Sequence, residues 1–200
     1  MLNYHDKLME IINNLDYRPK LLLHSCCGPC STYVIDFLIP YFDITVFFYN
    51  PNIEPKSEYI KRKKEQIRFI NEYNNSHLDF LDCDYDNEVF LEKTKGFEKY
   101  PEGGARCGIC YRLRLEKTAI MALSKEYDYF ATTLTVSPYK NALLINEIGY
   151  NLEHIYKIKY LPGDFKKKEG YKKSIQMSHE YNLYRQDYCG CHYANNNLRD

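Results

Sequence analysis

Eight cysteines in a chain of 200 residues are the side chains best suited to chemistry, and they are unevenly placed. Cys26, Cys27 and Cys30 cluster, Cys107 and Cys110 form a C-x-x-C pair, Cys189 and Cys191 a C-x-C pair, and Cys83 stands alone. In a small secreted chain such a count reads as a disulfide framework; in a chain of this length without a leader pattern it reads as metal or redox chemistry. Cys107-Gly108-Ile109-Cys110 predicts a turn, with Gly108 allowing it to be tight, that points two thiolates at one centre. Alone it fits zinc, an iron–sulfur cluster or dithiol redox chemistry equally. Adjacent cysteines reach two metals of a cluster more easily than they share one tetrahedral ion. Cys26, Cys27, Cys107 and Cys110 would together supply the four thiolates of a 4Fe-4S cluster.

Cys27-Gly-Pro-Cys30 also spells a thioredoxin active site, so a metal-free dithiol oxidoreductase is a rival reading. Against it, Cys26 and the second C-x-x-C have no role there. Cys30 then either ligates a further metal or packs at a helix start. A disulfide across the single residue between Cys189 and Cys191 would be strained, and strained, exposed disulfides are the easily reduced ones. The pair is therefore a candidate electron relay, with a metal-binding or idle pair as the alternative. Cys83 reads as a core cysteine.

Two further stretches bear on ligands. Residues 132–141 (TTLTVSPYKN) follow a predicted strand and open a predicted helix. Hydroxyls and helix N–H groups there, with Ser137 and Lys140, would suit a phosphate or a substrate hydroxyl; plain capping by Ser137 with Pro138 at the first helical position is the alternative. Lys157, Lys159, Lys166, Lys167, Lys168, Lys172 and Lys173 form a basic stretch interleaved with Tyr160, Phe165 and Tyr171, which suits nucleic-acid backbone and stacked bases, with a plain solvated surface as the alternative. Lysines and arginines number 27, as do aspartates and glutamates, so nucleic-acid binding must rest on a local patch of this kind. The 21 tyrosines are as compatible with ordinary packing as with base stacking.

The elements that must position these residues alternate. Helices are predicted over 4–15, 30–38, 57–73 with Ser57 as cap, 109–125, 139–148 and 172–181. Strands are predicted over 20–24, 44–49, 77–81, 127–133 and 154–160, with 50–56, 84–106, 161–168 and the tail from Arg185 irregular. This pattern predicts a single α/β domain over residues 1–200, a parallel sheet between two helical layers, with the metal site at the carboxyl ends of the strands. No stretch reaches the ~18 apolar residues of a membrane span, and residues 1–20 lack a signal-peptide pattern, so a cytoplasmic protein is expected.

Five stretches together resemble one family. These are residues 24–30 (HSCCGPC), 101–114 (PEGGARCGICYRLR), 132–141 (TTLTVSPYKN), 164–168 (DFKKK) and 184–191 (YRQDYCGC). In this order and register they are similar to the epoxyqueuosine reductase QueH family. The resemblance implies a Rossmann-like fold of the HUP type and a 4Fe-4S cluster on Cys26, Cys27, Cys107 and Cys110. It implies a redox-active disulfide between Cys189 and Cys191, and an additional iron or zinc ion for which Cys30 is the candidate ligand. It implies reductive removal of the epoxide oxygen of epoxyqueuosine at the tRNA wobble position, the last step of queuosine biosynthesis. The partners would be that tRNA and an unidentified electron donor, with neither cobalamin nor a membrane involved. The electron count fits independently: removing the oxygen as water takes two electrons and two protons, which a dithiol stores, whereas a cluster usually passes electrons singly. A non-catalytic iron–sulfur RNA-binding protein remains an alternative from another class.

Overall fold

The computed structural model describes residues 3–195, in which strands and helices alternate. β1 (Lys20–His24) is a run of Leu21, Leu22 and Leu23 with no solvent exposure, as expected of a central parallel strand covered on both faces. β2 (Asp43–Phe47), β3 (Leu78–Leu81), β4 (Tyr129–Thr132) and β5 (Lys159–Tyr160) join it in the order β3-β2-β1-β4-β5, and every pairing is parallel. Because side chains alternate across a strand, Leu21 and Leu23 enter one core and Leu22 the other. The first core lies under α1 (Tyr4–Asn13), α2 (Gly28–Leu38), α3 (Lys56–Tyr73) and α7 (Gly170–Glu180), and holds Val34, Leu38 and Phe69. The second lies under α5 (Ala105–Ser124) and α6 (Ala142–Tyr156), around Leu115, Phe130, Ile145 and Leu152. Two short helices, α4 (Asn87–Lys93) and α8 (His192–Asn195), and a 3-10 turn over Leu134–Val136 are also present. No helix among the described residues is long and apolar enough to cross a membrane.

β1 pairs with β2 on one side and β4 on the other, so the chain changes its direction of winding there. The loops leaving β1 and β4 part at this switch point and open a crevice beyond the strand ends, where parallel α/β sheets bind ligands.

Several boundaries differ from expectation, each for a local reason. α3 begins at Lys56 behind Pro55, with no side-chain cap, so Ser57 lies inside the helix. α5 begins at Ala105, which puts the C-x-x-C in its first two turns; Gly108 is helical, and a Cβ there would only touch Leu144. α6 is capped by Asn141, whose side chain accepts the Leu144 N–H, and Ser137 instead accepts the Tyr139 N–H. α6 then runs through residues 154–156, expected in a strand, because Ile145, Gly149 and Leu152 keep a buried helical stripe until Lys157 takes a left-handed conformation (φ 57°). This leaves β5 only two residues. The segment 84–106, expected to be irregular, contains α4.

Candidate metal centre and redox cleft

Residues 25–27 leave β1 at the switch point. Cys27 occupies the N-cap of α2 with extended backbone (φ −174°), and Cys30 falls in the first turn. The sulfurs of Cys26, Cys27 and Cys30 all lie within 4.8 Å of one another, with Cys26 and Cys27 3.8 Å apart. A tetrahedral ion with metal–sulfur bonds of about 2.3 Å spaces its ligands about 3.8 Å apart. Adjacency therefore does not keep this pair from facing one metal. Hydrogen bonds from Cys27 and Cys30 pull the Cys26 thiol well below the ordinary thiol value. The same bonds push Cys27 up to about 12 and Cys30 well above the usual range. Three crowded thiols that resist losing all their protons together need a cation to do so.

Cys107 and Cys110 approach from α5, three residues apart and so on one helix face. Cys107 Sγ accepts the Gly103 N–H at 3.2 Å. Cys110 is buried in a cluster with Phe90 and Cys191, and burial pushes its thiol up to about 11. These two sulfurs do not join the tight group of three. A cubane cluster is wider than one ion and its ligands stand further apart, so the tight group and the C-x-x-C can flank one such cluster. Arg114, one turn beyond Cys110, links the two sets. Its Nη1 lies 3.9 Å from Cys110 Sγ; burial opposes its charge, and Cys110, Cys26 and Cys189 offset that penalty. Tyr111, buried beside Cys107 and Cys110, has a hydroxyl with no partner among the described residues, and so does Arg62 Nη2 near Cys27. Soft sulfur donors, buried positive charge and unused hydrogen-bond donors together fit an anionic iron–sulfur group.

The tail brings in the remaining pair. Cys191 bridges antiparallel to Ile53, Glu54 N–H donates to Gly190 O at 2.8 Å, and Arg62 Nη1 donates to Cys189 O at 3.1 Å. Only glycine suits the residue between the cysteines: Gly190 has φ +84°, and a Cβ would sit 2.8 Å from the Arg62 guanidinium. All eight cysteines are free thiols here. Cys189 is half-buried, with Lys140 Nζ donating to its sulfur at 3.3 Å, while Cys191 is buried and desolvation pushes its thiol up to about 12. Lys140 is also bound to Glu102 Oε1 at 2.8 Å. Burial works against its charge, but Cys189, Tyr111 and Glu102 outweigh burial and hold its pKa above the ordinary lysine value.

Cys26, Cys30, Arg114, Ser137, Lys140 and Cys189 line one cleft of about 610 Å³. Cys27, Cys107, Cys110 and Cys191 do not line it. Lys166, Lys167 and Lys168 do not line it: Lys166 pairs with Asp164 at 2.8 Å, Lys167 donates to Asn3 at 2.8 Å, and Lys168 faces a separate groove beside His5 and Lys173. Cys83 packs against the second core, near Lys117.

Sequence reasoning missed the polar shell of the site. Glu58, Arg62 and Gln66 form a buried stripe on α3; Arg62 pairs with Glu58 at 2.7 Å, and Ser25 Oγ donates to Gln66 at 2.6 Å. His24 and Asn50 hold Arg114. Four-residue spacing was the available signal, both for the stripe and for Cys110 with Arg114.

A family model described as "Epoxyqueuosine reductase QueH" matches residues 21–197. Several proteins with that name are similar over most of this chain. The one from Staphylococcus epidermidis is 49% identical, over 96% of this chain and 84% of its own. That from Streptococcus pyogenes is 47% identical, over 96% and 78%, and that from Thermotoga maritima 36% identical, over 86% and 88%. Among solved structures, the U34-tRNA thiolase NcsA of Methanococcus maripaludis, which carries a [4Fe-4S] cluster, superposes with a TM-score of 0.60. It is 14% identical and the match covers 96% of this chain and 67% of that one, so the likeness concerns the Rossmann-like, HUP-type fold.

Proposed function

This chain belongs to the epoxyqueuosine reductase QueH family, and from that premise we propose how its cleft removes the epoxide oxygen from a tRNA-borne epoxyqueuosine. The observation that carries the reading is the meeting of Cys26, Cys30, Arg114, Lys140 and Cys189, from four separate stretches, around one cleft. Its volume of about 610 Å³ suits a nucleoside rather than a folded RNA. An enzyme acting on a base takes that nucleotide out of the stack, and the wobble nucleotide enters the cleft while the anticodon loop rests on the rim. Tyr139, 74% exposed, and Tyr171 stand at the rim as stacking surfaces.

Cys26, Cys27, Cys107 and Cys110 would hold a 4Fe-4S cluster, and Cys30 is the candidate ligand of an additional ion. When bound, such a cluster supplies single electrons at low potential. Cys189 and Cys191 store the pair. Their oxidation to a disulfide forms the S–S bond and releases two electrons and two protons. Opening the epoxide to the alkene breaks two C–O bonds, takes up the same two electrons and two protons, and leaves water. An external reductant of the thiol or iron–sulfur class returns the disulfide to the dithiol. Lys140 holds the Cys189 sulfur toward the cleft and, backed by Glu102, places a proton near the departing oxygen; the Ser137 hydroxyl lies on the same wall.

The test uses one anaerobic preparation of Cys189→Ser, Cys191→Ser, measured for iron and sulfide and for multiple turnover on epoxyqueuosine-containing tRNA. The expected result is full iron content with turnover lost. Loss of metal would make the pair ligands, and normal turnover would show the pair to be idle.

A further inference from the structure

Arg114 is 2% exposed, and a guanidinium stays charged in any protein interior. A buried charge needs compensation. Yet its three polar partners among the described residues offer no carboxylate: Nε donates to His24 Nε2 at 3.2 Å, Nη2 to Asn50 Oδ1 at 2.5 Å, and Nη1 points at Cys110 Sγ, 3.9 Å away.

Neither an imidazole nor a carboxamide supplies negative charge. His24 Nε2 lies between Arg114 Nε at 3.2 Å and the Tyr49 carbonyl oxygen at 3.1 Å. Its Nδ1 lies 2.9 Å from Thr132 Oγ1. Asn50 is fixed because its amide donates to Ser25 O at 2.9 Å, which turns its oxygen to the guanidinium. Arg62, the neighbouring buried arginine, has the carboxylate of Glu58 at 2.7 Å. Arg114 has instead Cys110 Sγ at 3.9 Å and shares one cleft with Cys26 and Cys189.

We propose that Arg114 is the built-in counter-ion of the metal centre: His24 and Asn50 aim its uncancelled charge at the thiolates, and that charge raises the centre's reduction potential. This rests on the iron–sulfur reading above. Arg114 acts through the ligands, as a tuning residue. A fixed positive charge and an N–H aimed at ligand sulfur both favour the more negative, reduced form of a cluster.

The test is a redox titration of anaerobically reconstituted protein, followed by visible absorption and EPR, with iron and sulfide measured on each sample. Arg114→Gln removes the charge. Asn50→Asp leaves the guanidinium in place and cancels it with a carboxylate, so it carries the test if Arg114→Gln does not fold. Both should give a more negative midpoint potential at unchanged iron content, with Arg114→Lys between them and wild type. Asn50→Asp should also raise the melting temperature of metal-free protein, where Arg114 lacks thiolate charge, and narrow the gap between metal-free and reconstituted forms. An unchanged midpoint in both variants with the cluster intact overturns the proposal. A wild-type chain that takes up no iron and sulfide overturns the iron–sulfur reading and this proposal with it.

Discussion

Replacing Lys140 by Met tests whether the lysine serves the dithiol or merely fills the cleft wall. Its side chain is 11% exposed, and its ammonium lies 3.3 Å from Cys189 Sγ. A reductant reaches the half-buried Cys189 before the buried Cys191. As a reducing thiolate attacks an oxidised Cys189–Cys191 pair, negative charge spreads over the incoming, central and leaving sulfurs, and Cys189 is the central one. A full charge 3.3 Å from the ammonium would be stabilised by about 5 kcal/mol at an effective dielectric of about 20. A share of a third to a half of that is about 2 kcal/mol, or ~30-fold in rate. Stopped-flow reduction of the oxidised pair by dithiothreitol, anaerobic and at fixed pH, measures it directly. Lys140→Met should slow reduction by ~30-fold, Lys140→Arg should stay within about threefold of wild type, and iron content should be unchanged in both. A Lys140→Met rate within about threefold of wild type would refute the electrostatic argument, because poorer packing alone leaves that charge unaffected.

Two other perturbations separate the remaining assignments. Alanine at Cys26, Cys27, Cys107 or Cys110 should each lower iron content in anaerobic reconstitution, whereas Cys83→Ala, packed against the second core, should not; equal iron in all five variants would exclude the four-cysteine set. Charge reversal at Lys166, Lys167 and Lys168 should weaken tRNA binding and lower the slope of log K against log salt by about 0.7–0.9 for each phosphate that is no longer neutralised. Since Lys166 and Lys167 are already paired with Asp164 and Asn3, an unchanged slope would assign the run to holding residues 164–168 in place.

The fold was legible where burial is unambiguous. Leu21, Leu22 and Leu23 could only belong to a strand covered on both faces, and once that strand was central the loop after it had to lie at the crevice. It was less legible where an element is too short to show a period. α4 spans seven residues and buries only Phe90, so nothing in its sequence repeats. β5 is the opposite case: the apolar residues before it satisfied a strand as well as a helix. The buried spacing of Ile145, Gly149 and Leu152 decided for the helix, which a short window centred on residues 154–160 does not contain.

The site divides the same way. Cysteine is rare enough that grouping alone identified the ligand candidates, whereas Arg62 was hidden among Lys61, Lys63 and Lys64, where a charge run reads as a solvated face. Polar burial depends on partners far along the chain, such as Tyr184 against Glu58 and Cys189 against Arg62, and no local pattern encodes them. Arg114 is an instructive intermediate. Cys107, Cys110 and Arg114 are spaced by three and four residues, so a helix starting before the C-x-x-C must put all three on one face. Expecting a turn at Gly108 broke that face at its first residue. The helix boundary, more than any missing motif, separated the thiols from the charge that stands behind them.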